Sequence, residues 1–435
     1  MGALTTVVIK HATRKKKKLK MASKSEPVTI IGGGICGPFL ALALYKHGIK
    51  STVYERAPES FVLGGSMALA ANALRCLDQL GIYDEIRPLG VLHEGVPLVN
   101  MKGETIKTVV LGSEEKYGYA ALRIHRNFVR QALLKATVRA GIEIKYEMKC
   151  SSVEDRDDGT VVRFETGEVF TTKGLVVGAD GMNSRVRESI APGKQPKFDG
   201  LWSIYGFAKR DILKKPAGAD WMRIIVGGSG TFAVIPCSED EVLFFNTAET
   251  HDRSKEEWKA LEADKEQLKE LLKHPFLEEP WPDVVRELVT NAPAERYSCW
   301  PYRSVPEIES WISSQGRIVI LGDAAHHIPP SVGQGGAMAF EDSLTLVNTI
   351  STIWKQSPQV GIDNARNFLV KWEKTRKARI QRVIERTRVG SNARIGTANE
   401  AVQAEKEERL RREKDENEVD WLYSYDASSF DVETA

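Results

Sequence analysis

Cysteine is scarce. Cys36, Cys76, Cys150, Cys237 and Cys299 are scattered over 435 residues, odd in number and without a C-x-x-C spacing. This argues against a disulfide framework and a thiolate zinc site, and it fits reduced thiols in a cytoplasmic setting. No apolar run approaches the ~18 residues a membrane span needs. The N-terminus has no apolar stretch after its charges, so no secretory signal is expected. Excess charge is also missing: 61 basic against 59 acidic residues leave a formal net charge of +2. A nucleic-acid partner is therefore not expected. No GxSxG nucleophile elbow occurs, which removes the serine-hydrolase reading. The adjacent His326 and His327 have no HxxxH or HxxE spacing around them. Adjacent residues do not face each other on a helix or strand, and three converging ligands are not legible, so no metal is expected.

What is present is an ordinary globular composition, 42% hydrophobic and 28% charged. The chain is long enough for two domains and a substantial core. One local exception is "RKKKKLK", Arg14 to Lys20, read as part of a solvated basic tail over 1–26. Met21 follows it, and a translation start there would remove the run.

"PVTIIGGGICGPFLALALYKHGI" reads as buried strand, glycine turn and buried helix, and "STVYERAP" supplies a second strand ending in an acid. "NALRCLDQLGI" is helical. So is "LRIHRNFVRQALLKATVRAG", where Phe128, Leu133, Leu134 and Val138 recur near helical spacing and Gly141 is the expected stop. "GIEIKYEMKC" and "GTVVRFETGEVF" alternate like strands around a turn at Asp158-Gly159. From about Pro196 to Thr250 the pattern is several strands, read as a mainly antiparallel sheet inserted in the first domain. "SKEEWKALEADKEQLKELLKH" is expected to be one exposed, charge-laced helix. One or two long helices are expected from about Asp363 to Glu416.

The turn "GGGICG" carries the first chemistry. Gly32 makes the tight turn, Gly34 lets the backbone approach a pyrophosphate, and Gly37 lets helix and strand pack closely. Glu55 lies about 20 residues beyond the turn, where an acid accepts hydrogen bonds from ribose hydroxyls. Arg56 follows it and is a candidate to lie over the adenine. The reading from these residues is an adenine dinucleotide site, for FAD or NAD.

Two further motifs decide between them. "GGGICG", "GADGMNSRVR" and "LGDAAHHIPPSVGQGGAMAFED" occur in this order. The set resembles the FAD-dependent aromatic hydroxylases and epoxidases, the single-component flavoprotein monooxygenases of the p-hydroxybenzoate hydroxylase type. "DWLYSYDA" resembles a tail seen in fungal-type members. The resemblance implies a doubly wound, Rossmann-like α/β FAD-binding domain with an inserted antiparallel β-sheet substrate domain and a helical C-terminal segment. The expected boundaries are 27–195 and 301–360 for the FAD-binding domain, 196–300 for the insertion, and 361–435 for the C-terminal helices and tail.

The resemblance also assigns roles. Asp323 is expected on the ribityl chain, Pro329 and Pro330 beside the flavin ring, and Gly333, Gly335 and Gly336 at a helix N-terminus that stabilises negative charge on reduced flavin. Asp180 belongs to the second fingerprint, linked with FAD and NADPH contacts, and Arg126 matches an arginine near FAD. The implied reaction uses NADPH or NADH to reduce FAD, captures O2 as a C4a-(hydro)peroxide, and delivers one oxygen atom to an electron-rich organic substrate. A place in specialised (secondary) metabolism follows from the same analogy, as does a monomer or homodimer. In a salicylate-hydroxylase-like branch a Tyr-Arg-Gly strand motif and a later Tyr-Pro are associated with catalysis. Here Gly206 follows Tyr205 and Ile235 precedes Pro236, which argues against salicylate-type substrates. Tyr205 and Arg210 are the candidates for orienting or deprotonating substrate. A flavin dehydrogenase or reductase on this fold, or a non-catalytic flavoprotein module, stays open. A halogenase is disfavoured because no WxWxIP segment occurs.

Overall fold

The computed structural model describes residues 26–213, 222–228, 230–328, 333–356, 366–394, 400–412 and 419–434. The basic run, Met21, Pro329 and Pro330 lie outside the described residues.

Val28–Ile31 is buried at every position, as its unbroken apolar run predicts. It has a parallel neighbour on each side, Ser51–Tyr54 and Val176–Gly178. Across the five-stranded sheet the order is Ile318–Ile320, Val176–Gly178, Val28–Ile31, Ser51–Tyr54, Glu143–Lys145, with every pairing parallel. The chain runs outward from Val28–Ile31 in one direction and then returns to build the other side. Such a reversal opens a crevice at the carboxyl ends of the strands. Helix Cys36–Lys46 leaves from that end, and its Phe39 ring stacks on Phe340 of helix Gly335–Gln356 at 4.4 Å.

The second large sheet has seven strands, in the order Tyr297–Ser304, Lys197–Lys209, Glu241–Glu249, Gly230–Pro236, Arg223–Gly227, Gly95–Val99, Thr105–Val110. All pairings are antiparallel except that of Arg223–Gly227 with Gly95–Val99. The last two strands precede the insertion expected at 196–300. They cover the edge that Arg223–Gly227 would otherwise expose. Alternation gives the sheet two faces. Trp202, Ile204, Phe232, Val234 and Phe244 pack against helices Lys255–Ala263, Lys265–Glu278 and Asp283–Asn291. Tyr205, Ile224, Ile235, Leu243 and Phe245 line a cavity on the other side.

Two expectations need correction. The single exposed helix after Ser254 is two helices broken at Asp264, whose side chain accepts the Gln267 N–H at 2.9 Å. It also has a buried stripe, because Leu268, Leu272 and Phe276 recur every four residues and fill the core. In helix Arg126–Arg139 the buried stripe is Val129, Leu133 and Thr137, with Arg130 beside it, whereas Phe128 and Val138 are exposed. Thr137 hides in this stripe because its hydroxyl donates to the Leu133 carbonyl at 2.8 Å. The glycine stop at Gly141 and the Asp158-Gly159 hairpin form as read, with φ +73° and +149° at the two glycines. The long C-terminal pattern is two helices, Arg366–Arg394 and Glu400–Arg412. The tail after them is held by Arg75, which donates to the Tyr423 and Tyr425 carbonyls, and by Arg379, which donates to those of Trp421 and Leu422.

Phe276 is fully buried against Phe232 and Trp281. Phe276→Ala is expected to cost about 3–5 kcal/mol in denaturant unfolding, against well under about 1 kcal/mol for the exposed Val169→Ala. Equal costs would contradict the helix-covered face.

Candidate functional site

Three glycines of the first turn are required for three different reasons. Gly32 has φ +112°, and a Cβ there would lie 2.4 Å from the Ala179 carbonyl oxygen. A Cβ on Gly37 would lie 1.9 Å from the Gly32 oxygen, so helix and turn touch backbone to backbone. A Cβ on Gly34 would meet nothing within 4 Å, and Gly34 lines the cavity. That is the pattern of a packed turn with one residue left open to a ligand. The Glu55 carboxylate accepts the Gly33 N–H at 2.5 Å and the Ala57 N–H at 2.8 Å, and it also borders the cavity. Arg56 is exposed at the rim.

Arg130 is the group that sequence reasoning missed. It is 1% exposed, yet it lines the same cavity. Its Nε donates to the Gly33 carbonyl at 3.3 Å and its Nη1 to the Phe61 carbonyl at 2.9 Å. Its Nη2 is buried with no hydrogen-bond partner among the described residues. The available signal was an arginine next to Val129 and one turn from Leu133 and Leu134, on the buried side of its helix.

The third motif builds the far end of the cavity. Strand Ile318–Ile320 delivers Gly322, at φ +58°, and then Asp323. Asp323 Oδ1 would lie 3.8 Å from a Cβ on Gly335, which opens helix Gly335–Gln356. Gly333 (φ +65°) packs on Ala68, and a Cβ on Gly336 would come within 2.9 Å of Met67 Cε. His327 borders the cavity with Nδ1 3.2 Å from Asp323 Oδ2. Burial works to raise the Asp323 carboxyl, but the His327 contact and the His326 and Arg126 charges outweigh it and hold it below the usual range.

His326 faces away, onto Asp342 Oδ2 at 2.6 Å. Asp342 also accepts from the Gly322 N–H at 2.9 Å and Arg376 Nε at 2.7 Å. Burial opposes that carboxylate, but the His326 and Arg376 charges win and hold it at about 2. Glu341 completes the network by accepting from Arg376, Arg379 and Asn72. His326 is thus a support beneath the turn.

The second fingerprint has a local task. The Asp180 carboxylate accepts from Ser184 Oγ at 2.6 Å, the Arg185 N–H at 2.7 Å and the Val186 N–H at 3.2 Å, capping helix Arg185–Ile190. Burial raises its carboxyl. Arg187 is buried and donates to the Met182, Lys194 and Ala324 carbonyls, which ties the second motif to the third. The Arg126 guanidinium lies 5.6 Å over the Trp300 ring, and burial lowers it against the pull of Asp323 and Tyr205. Tyr205 lines the cavity, and burial pushes its phenol up.

Arg210 is not brought to the others. It follows the end of strand Lys197–Lys209, and its Nη1 donates to the Glu239 carbonyl at 2.7 Å. Five strand residues place it roughly 17 Å from Tyr205, beyond the sheet. Gly206 cannot hold an arginine either, since a Cβ there would lie 2.4 Å from Phe244 Cζ on the helix-covered face.

Apart from Gly37, which packs on the Gly32 backbone, the remaining described candidates border one cavity of about 1520 Å³. That exceeds the roughly 300–1,000 Å³ of an ordinary small-ligand pocket. It has room for a dinucleotide and a second molecule. The open Gly34, the orphaned Arg130 Nη2 and the glycine-lined helix start fit the phosphate and ring ends of FAD. No group of three or more metal-ligating side chains occurs among the described residues. No helix among them is long and apolar enough to cross a membrane.

The chain belongs to the FAD binding domain family, which matches residues 25–387. Curated relatives include the aurachin C monooxygenase/isomerase of Stigmatella aurantiaca, 28% identical over 74% of this chain and 80% of that protein. The FAD-dependent urate hydroxylase of Mycolicibacterium vanbaalenii is 29% identical, with coverage of 73% and 78%. The 3-amino-4-hydroxybenzoate 2-monooxygenase of Streptomyces cremeus is 27% identical, with coverage of 93% and 96%. Among solved structures, Klebsiella pneumoniae HpxO complexed with FAD and uric acid superposes with a TM-score of 0.74 at 21% identity, covering 91% of this chain and 96% of that one. A salicylate hydroxylase substrate complex gives 0.72 at 17%, covering 93% and 97%. The fold is therefore that of the flavoprotein hydroxylases.

Gly34 and Gly37 separate folding from binding. Gly37→Ala is expected to give little folded protein. Gly34→Val is expected to keep the wild-type far-UV spectrum while apoprotein affinity for FAD, read by flavin fluorescence quenching, falls by at least about tenfold. Unchanged affinity in Gly34→Val would contradict the assignment.

Proposed function

We propose that this protein is an FAD-dependent monooxygenase that uses NADPH or NADH and O2 to hydroxylate or epoxidise an electron-rich organic substrate. One observation carries the reading: a single cavity joins the dinucleotide turn to an apolar sheet face. Bound FAD would supply electron transfer and oxygen activation. The Gly32–Gly37 turn, Glu55, Arg56 and Arg130 would hold its adenosine and pyrophosphate. Arg126, Asp180 and Asp323 would serve the ribityl region, and Pro330 with Gly333, Gly335 and Gly336 the ring.

The chain's own contribution is positioning and exclusion of water. N–H groups at the start of helix Gly335–Gln356 stabilise negative charge at the ring. Ile224, Ile235, Leu243 and Phe245 keep the facing space dry. Tyr205 is a phenol on that face, and its raised ionisation suits it to hold or pass a hydrogen bond as neutral O–H. Ile235, in the place of a tyrosine, makes this face more apolar than a salicylate site. A role in specialised metabolism and a cytoplasmic location, with all five thiols free, accompany the proposal.

The purified protein is expected to be yellow, to consume O2 with NADPH in a substrate-stimulated way, and to yield a product heavier by one oxygen atom. Colourless protein that cannot take up FAD would sink the reading. Bound flavin without substrate-dependent O2 use, across a phenol, indole and polyene panel, would favour a dehydrogenase or reductase.

A further inference from the structure

A basic rim on the cavity has no part in the account above. Lys255 and Lys259 are exposed and yet border the cavity, so it opens to solvent at this point. They stand one turn apart on helix Lys255–Ala263, on the same face and about 6 Å along its axis. Trp258 and Leu261 of that helix are buried against the seven-stranded sheet. Glu262, the next residue on the lysine face, accepts the Cys299 N–H at 2.7 Å. That bond pins the lysine face to the edge strand Tyr297–Ser304. Trp300 follows Cys299 and pairs with Ser203, which puts it on the face that carries Tyr205. Its ring lies under Arg126, and Arg126 in turn feels the Asp323 charge. One cavity therefore runs from the two lysines past Trp300 to the turn assigned to the flavin.

The acids of this rim are held by protein groups. Asp252 accepts from Arg303 Nη2 at 2.9 Å and Trp258 Nε1 at 3.2 Å. Glu262 also accepts from Lys265 Nζ at 2.9 Å, and Glu257 closes a capping box on the Ser254 N–H at 2.7 Å. Arg253 adds a further cation, 4.8 Å over the Trp258 ring. Lys255 and Lys259 form no ion pair among the described residues.

We propose that this rim docks the reduced nicotinamide dinucleotide and selects NADPH over NADH, with Lys255 and Lys259 taking the phosphomonoester that distinguishes the two. Such a group carries a charge of about −2 at neutral pH. Two ammonium groups one turn apart on a pinned helix hold it by charge-assisted hydrogen bonds. Trp300 offers a flat ring between that phosphate and the flavin turn, against which the nicotinamide end lies. The inference rests on the monooxygenase reading, which needs a hydride donor to reach the flavin.

The test uses FAD-loaded protein, so that the dinucleotide turn is already filled, and titrates it calorimetrically with ADP-ribose and 2′-phospho-ADP-ribose. Neither probe can transfer a hydride, so the readout is binding alone. Wild type is expected to prefer the phosphorylated probe by about tenfold or more. The double variant Lys255→Gln, Lys259→Gln is expected to lose that preference while its affinity for ADP-ribose holds. Equal affinity for the two probes in wild type overturns the inference, as does a preference that survives in the double variant or the binding of neither probe. The wild-type comparison alone decides the matter if the double variant does not fold. Protein that takes up no flavin defeats the functional reading itself, whereas flavin-loaded protein without the preference defeats only the role of the rim.

Discussion

The backbone contact between Gly32 and Gly37 is the constraint on which the rest of the structure depends. A Cβ at Gly37 would sit 1.9 Å from the Gly32 oxygen, so the first helix can dock on its strand only if that position has no side chain. Once it docks, the helix N-terminus and the open Gly34 face the crevice at the carboxyl ends of the parallel strands. Ala179, which directly follows the strand beside the first, closes on Gly32 from behind. Asp180 follows it directly, so the same contact also fixes the second motif. Arg187 then passes the registration on to Ala324 in the third motif.

Charge is handled differently at the two ends of this cavity. Beneath the Asp323 turn, Glu341, Asp342, Arg376 and His326 are all buried and joined by direct hydrogen bonds, with His326 Nδ1 left without a hydrogen-bond partner among the described residues. Breaking one member of such a network leaves an uncompensated buried charge, so it holds the turn rigidly. At the end proposed for the phosphates, the buried Arg130 Nη2 has no hydrogen-bond partner among the described residues. His326 contacts a buried carboxylate, whereas Arg130 contacts two backbone carbonyls and lines the cavity. That difference separates His326 from Arg130, although both are buried and polar.

The parallel sheet was legible because its strands are unbroken apolar runs and its glycine turn has a fixed chemistry. Gly32, Gly34, Glu55, Arg126, Asp323 and Tyr205 do meet at one cavity. Arg130 was not legible, because an arginine in a helix reads as a surface residue until the neighbouring stripe is placed correctly. The stripe itself was misread at Phe128 and Val138, where helical spacing alone does not say which of two adjacent faces is covered. Arg210 was misplaced because an arginine near a strand end carries no sign of which way the chain turns next. Membership of Gly95–Val99 in the substrate sheet could not be read from local pattern, since pairing with Arg223–Gly227 joins segments far apart in sequence.

The most direct measurement of the central claim is a crystal structure of the protein grown with FAD. The account predicts ribose hydroxyls within hydrogen-bond distance of Glu55, a phosphate oxygen on Arg130 Nη2, and the flavin ring between the Gly333–Gly336 turn and the sheet face bearing Tyr205. A flavin bound elsewhere, or one whose ring is walled off from that sheet face, would contradict it.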